Sequence, residues 1–303
     1  MRITVTGATG LIGTQLVEEL LSRGDQVTVL ARNPHAAQEK LGSVEAVSWN
    51  PTTEQAPPEA LAHRDAVIHL AGEPVSQRWT ADAKNQIRES RVAGTSNLIA
   101  GLRQADPSPK TLVSGSAVGY YGAHGPEPVD ETAAPGEGFL AEVCVDWEKS
   151  ALEATELGIR TVLLRTGVVL SSEGGALAKM LPPFKAGVGG PVAGGEQFVP
   201  WIHIDDIVGL ILAAIDGDDS WSGPLNATAP VPVTNKQLSK ALGRALHRPS
   251  IAPVPAFAIK LLYGEMSEIV TTGQNAIPSK AQSLGYGWKN PDLDLALQEM
   301  FAS

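Results

Sequence analysis

Glycines at positions 7, 10 and 13 sit in the stretch TGATGLIG, directly after the apolar run Arg2 to Thr6. Each clears a different obstacle. Gly7 permits a sharp turn, Gly10 lets the backbone approach a diphosphate, and Gly13 lets a new helix pack on the strand before it. Unpaired amides at the helix start, around Thr9, Leu11 and Ile12, then face the phosphates together with the positive end of the helix dipole. A ligand-free glycine turn has the same composition. The strand before and the helix after are what single out dinucleotide binding.

The end of the second apolar run bears on which dinucleotide it is. An acidic side chain there would accept both adenosine ribose hydroxyls and select NAD. This chain has Arg32 followed by Asn33, and a fixed guanidinium suits a 2′-phosphate. NADP is therefore the expected cofactor, with NAD second; a solvated arginine is the plain alternative. Asn50, after Trp49, lies where adenine edges are contacted, and the turn Leu70-Ala71-Gly72 would run beside the cofactor.

Those residues need a scaffold, and the rest of the sequence supplies one. Apolar runs at 2–6, 27–31, 44–48, 66–70, 110–115 and 160–166 alternate with helix-period segments. This pattern is that of an α/β fold, a doubly wound parallel sheet of the NAD(P)-binding Rossmann kind. Helices are predicted over 14–23, 82–105, 139–157 and 204–215. From about residue 167 glycine and proline crowd in, and prolines at 224, 230, 232, 249, 253 and 255 break the remainder into short elements. We read residues 1–215 as the dinucleotide-binding domain and 216–303 as a small, mostly helical lobe that closes over the carboxyl ends of the strands.

Bulk properties narrow the partners. A net charge of −10 argues against nucleic acid or an anionic membrane, local clusters aside. The single cysteine, Cys144, excludes an internal disulfide and a cysteine-rich zinc site, and no metal is expected. The first apolar run begins at residue 2, and no stretch approaches the roughly 18 apolar residues of a membrane span. A cytoplasmic protein with a small-molecule substrate is expected, and a homodimer stays open.

In family order, TGATGLIG, HLAG, Arg91-Val-Ala-Gly94-Thr95, SGSAVGYYG and WIHIDDIV resemble an extended short-chain dehydrogenase/reductase over about residues 1–215. RWT at 78–80, FLAEVCVDWE, GGPVAGGEQFVPWIHIDD, LNATAPVPVTN and GEMSEIV resemble an atypical subgroup, NAD-dependent epimerase/dehydratase-like, with its own small C-terminal domain over about 250–300. The resemblance implies a cofactor contact for Arg91 and a Tyr-x-x-x-Lys pair that moves a proton as the nicotinamide moves hydride. The pair is missing. Four residues beyond Tyr120, Tyr121, Tyr263 and Tyr286 stand His124, Gly125, Ser267 and Asn290, and aligning the helix puts Leu140 and Cys144 at the pair's positions.

The expected substrate-holding serine is present as Ser116. For the proton, Tyr120, Tyr121 and Glu73 are the candidates; packing aromatics and a loop anchor are the plain alternatives. Cys144 reads as a small buried residue, and His203 as scaffold beside aspartates that cap the next helix. Lys84, Arg88 and Arg91 share one helix face and, with Arg78, could meet an anionic substrate; a solvated face is the alternative. Trp79, Gln197 and Trp201 could hold a flat polar group, although most tryptophans are core. Two functions follow: an NADP-dependent epimerase or oxidoreductase with displaced acid/base groups, or a protein that binds NADP without turnover.

Overall fold

The computed structural model describes residues 1–302 of the 303-residue chain. Its centre is a seven-stranded, wholly parallel sheet. The first five strands are β1 (Arg2–Thr6), β2 (Gln26–Ala31), β3 (Glu45–Ser48), β4 (Ala66–His69) and β5 (Thr111–Ala117). A sixth, Arg160–Thr166, and a seventh, Gly223–Ala227, complete the order β3-β2-β1-β4-β5-sixth-seventh. The order reverses between β1 and β4, which is where a doubly wound sheet opens its ligand crevice.

Helices cover both faces, so the inner strands are apolar on both sides. One face packs α1 (Leu11–Ser22) and, later in the chain, the amphipathic helix Ile204–Asp216 over Ile3, Val5, Ile68 and Val113. α2 (Pro34–Leu41) follows β2 on the same side. The other face takes α3 (Ala81–Leu102), whose Leu98, Ile99 and Leu102 are completely buried with Leu112. Each such side chain contributes roughly 1.5–3 kcal/mol. α4 (Phe139–Leu152) packs against α3, and its Trp147 sits so close to β5 that a Cβ at Gly115 would stand 2.9 Å from the indole.

Four further helices follow in chain order, α5 (Gly175–Lys185), α6 (Ile204–Asp216), α7 (Asn235–Ala245) and α8 (Ala256–Tyr263). α1 begins at Leu11, earlier than the periodicity predicts, because Gly10 itself is the N-cap. The sheet also runs past residue 215: Gly223–Ala227 pairs in register with Val162–Thr166. Its proline and small residues hide it from a pattern search. The C-terminal region joins this body by a two-residue parallel ladder, Asn275–Ala276 on Pro128–Val129. Among the described residues no helix is long and apolar enough to cross a membrane.

Candidate functional site

The carboxyl ends of β1, β2, β3 and β4 bring the expected cofactor residues to one edge. Gly7 has φ +69°, and a Cβ there would lie 2.6 Å from the Leu70 carbonyl carbon. Only glycine meets both demands. At Gly13 a Cβ would lie 2.3 Å from the Gly7 carbonyl oxygen, so the helix start is drawn tightly onto the turn. Gly10 differs: its φ of −76° suits any residue, and the nearest atom to a Cβ is 3.2 Å away. Its bareness serves the space in front of the turn.

α1 has no side-chain cap and no acidic residue in its first turn. Among the described residues nothing accepts a hydrogen bond from the amides of Leu11, Ile12 or Gly13. Three donors at a positive dipole end are left for an anion. Thr9 is exposed, and its carbonyl accepts from Lys40 Nζ at 2.9 Å, which stations a second cation at the turn. Arg32 is exposed at the end of β2, with no carboxylate partner among the described residues; Asn33 caps α2 through Ala36 N–H at 3.1 Å. Asn50 is half-buried, its Oδ1 accepting from Thr52, and Leu70 and Ala71 run beside Gly7. The donors, the cleared space and the cations fit a phosphorylated dinucleotide.

Behind this edge, His69 at the end of β4 is fully buried between Thr6 Oγ1 (2.7 Å) and Thr95 Oγ1 (3.2 Å). Burial pushes its imidazole down to about 4, so it is neutral. Arg91 lies against Gly72, where a Cβ would be 3.3 Å from its Cζ, and over the Trp147 ring at 5.0 Å. It donates to the carbonyls of Glu73 (2.9 Å) and Ile87 (3.2 Å), and no carboxylate neutralises it among the described residues. Glu73 anchors its loop through Ser90 Oγ (2.9 Å), and its carboxylate takes a single long bond from Gln77 (3.3 Å).

The substrate side is more closed than the sequence implies. Ser116, only 3% exposed, donates its hydroxyl proton to Glu148 Oε1 at 2.7 Å. Glu148 is held by a two-pronged pair with Arg165, Nε to Oε1 at 2.8 Å and Nη2 to Oε2 at 2.9 Å. Arg165 Nη1 also donates to the Tyr121 hydroxyl at 3.0 Å, which in turn donates to Asn226 Oδ1 at 2.7 Å. Burial pushes the Tyr121 phenol up to about 12. Burial alone would lower Arg165, but its bonds and charge pairing with Glu148 hold it above its ordinary value. Tyr120 covers the same guanidinium, ring centroid to Cζ 3.5 Å, and its hydroxyl has no partner among the described residues.

Several expected residues are corrected by their surroundings. Trp201 is 1% exposed with its indole N–H on Val231 O, so it is core, not an open platform. Trp79 is buried against Phe139 and Met266, with its N–H on Val75 O. On the shared helix face Lys84 is neutralised by Glu265 and Arg88 by Asp146 and Glu142, while Arg91 keeps only carbonyl and hydroxyl partners among the described residues. Gln197 ties the glycine-rich loop down through Val192 O and Val270 O. Arg78 alone of that group stays exposed without an ion pair among the described residues, beside Gly264. Cys144 is buried and its thiol pushed up to about 11, mainly by burial with Glu148 adding. His203, not an aspartate, caps α6 by accepting from Asp205 N–H at 3.1 Å.

Lys40, Glu148, Arg165 and Asn226 escape a sequence reading. Glu148 closes the segment FLAEVCVDWE and Asn226 lies in LNATAPVPVTN, but neither segment signals a role for them, and only folding brings Glu148 on α4 to Arg165 on the next strand.

The NAD-dependent epimerase/dehydratase family profile matches residues 3–225, and a domain of unknown function, DUF1731, matches 254–300. The chain is 40% identical over 291 residues to the chloroplastic epimerase family protein SDR39U1 homolog of Arabidopsis thaliana, covering 95% of this chain and 83% of that one. It is 37% identical to the epimerase family protein YfhF of Bacillus subtilis, covering 100% and 98%. The crystal structure of human epimerase family protein SDR39U1 (isoform 2) with NADPH superposes with a TM-score of 0.88, 32% identity and 100% coverage of both chains. A UDP-glucuronic acid 4-epimerase from Bacillus cereus shares the fold, with a TM-score of 0.79 at 16% identity. The chain belongs to the NAD-dependent epimerase/dehydratase family.

Proposed function

We propose that the chain is an NADP-dependent epimerase or oxidoreductase acting on a small polar substrate, with nucleotide sugars the first class to try. The observation that carries this is the uncapped start of α1, three free amides flanked by Arg32 and Lys40. The human relative crystallised with NADPH supports the choice of cofactor. The turn from Gly7 to Gly13 would hold the diphosphate, and Arg32 with Lys40 would meet the 2′-phosphate. The bound nicotinamide would supply the hydride chemistry.

The proton must then be handled without a Tyr-x-x-x-Lys pair. The Ser116 hydroxyl already donates its hydrogen bond to Glu148, so it offers lone pairs and suits a ligand hydroxyl rather than a carbonyl. Tyr121 is spent on Arg165 and Asn226. Tyr120, with its free hydroxyl, and Glu73 remain as the groups able to move a proton. Arg78 and Arg91, both without a carboxylate partner among the described residues, favour an anionic group on the substrate. The same closed network motivates a second reading, a protein that binds NADP and turns nothing over.

Calorimetric titration with NADPH and NADH tests the cofactor half; uptake of neither overturns both readings. Deuterium transfer from labelled NADPH to a panel of carbonyls and nucleotide sugars, or an epimer formed without net redox, supports the enzyme. Tight NADPH binding with no transfer across the panel leaves the second reading.

A further inference from the structure

The net charge of −10 conceals an uneven distribution. Between Asp219 and Glu265 the chain has no acidic residue, yet carries Lys236, Lys240, Arg244, Arg248 and Lys260. Arg244 pairs with Asp294 and Lys236 with Glu196. Lys240, Arg248 and Lys260 have no carboxylate partner among the described residues, and the first two line an open cavity of about 480 Å³ with His247.

The same stretch exposes its apolar side chains. None of the eight residues of α8, AFAIKLLY, is buried. Phe257 is 75% exposed, Leu261 77%, Leu262 64%, and Ile251 before the helix 84%. Ile251 is held out by a pinned segment, with Ala252 N–H on Gly189 O (3.3 Å) and Val254 N–H on Pro191 O (2.9 Å). Large apolar side chains left exposed together within one short stretch mark a docking surface.

The chemistry of the stretch selects its occupant. A second copy across a two-fold axis would set cations against cations with no acid in the stretch to answer them. Phe257, Leu261 and Leu262 stand out from a short helix with no buried residue, which suits a fluid phase that closes around them. We infer that this face docks on an anionic bilayer surface. Phe257, Leu261, Leu262 and Ile251 enter the boundary between headgroups and acyl chains, while Lys240, Arg248 and Lys260 meet lipid phosphates.

Co-sedimentation of the full chain with vesicles tests this, using phosphatidylcholine alone against equal parts phosphatidylcholine and phosphatidylglycerol. Binding is expected only to the mixed vesicles, weakening with salt and roughly fivefold for each of K240A, R248A and K260A. F257E/L261E is expected to abolish it while leaving NADPH titration and the circular dichroism spectrum unchanged. Absence of wild-type binding to mixed vesicles overturns the inference, as does equal binding to both kinds. A lipid-free dimer that F257E/L261E dissociates, without vesicle binding, assigns the face to a second copy instead.

Discussion

The turn after β1 and the polar cluster under Ser116 lie on the same sheet edge with only β4 between them, and they follow opposite plans. At the turn, among the described residues, three amides have no acceptor, and Arg32 and Lys40 have no carboxylate partner. Under Ser116, Glu148, Arg165, Tyr121 and Asn226 satisfy one another almost out of reach of water. A site that waits for a ligand keeps its donors free; a site that positions neighbours uses them up. The first plan predicts large losses of binding with little loss of stability, and the second predicts the reverse.

The sharpest test is on the closed side. Glu148→Leu strands the Arg165 guanidinium, and unfolding in urea should report a loss of about 3–5 kcal/mol. Adding Arg165→Met should return most of it, since a buried pair replaced whole costs little. An unmoved midpoint in the single variant would break the contrast. His69 gives the next effect. An unfolded histidine takes up its proton near 6.5, whereas the buried ring resists down to about 4. The unfolded state therefore binds more protons between those values. Stability from this group is full above about pH 6.5 and falls by about 3 kcal/mol as pH drops toward 4. His69→Gln should flatten that slope in thermal melts taken across the range.

On the open side, Gly10→Val should weaken NADPH about a hundredfold, roughly 2.7 kcal/mol, by occupying the space before the amides. Its melting temperature should move much less than its affinity, because its φ is ordinary and the one close contact of a Cβ is the Gly7 carbonyl oxygen at 3.2 Å. A large melting shift with intact binding would reverse our assignment of plans. The smallest effect is expected of Arg32→Asp, about tenfold against NADPH with NADH gained, roughly 1.4 kcal/mol. Equal affinities before and after, by calorimetry, would remove Arg32 from the site.

The open plan is also the legible one. The roles proposed for Gly7, Gly10, Gly13 and Arg32 rest on local backbone geometry or a strand end, so their spacing in the chain carries their meaning. Ser116 was visible for the same reason, as the end of β5. Its working partner was not: Glu148 and Arg165 are ordinary letters on separate elements, and Asn226 sits on a strand whose short, proline-bearing sequence hides it. Trp201 and Trp79 looked available because an aromatic side chain does not announce whether it faces solvent or core. Net charge likewise averages over the acid-free stretch and does not report its local sign.

The buried carboxylate of Asp206 accepts the amides of Lys289 (2.6 Å) and Asn290 (3.0 Å), while its own carbonyl accepts the Tyr286 hydroxyl (3.0 Å). The tail thus works as a clasp on α6, the helix that lies over the heart of the sheet. Clipping the last fifteen or so residues would leave a desolvated anion with no donors under the main layer, at a cost of several kcal/mol. Proteolysis near residue 285 should therefore destabilise the dinucleotide half, a long-range debt incurred far from the cut.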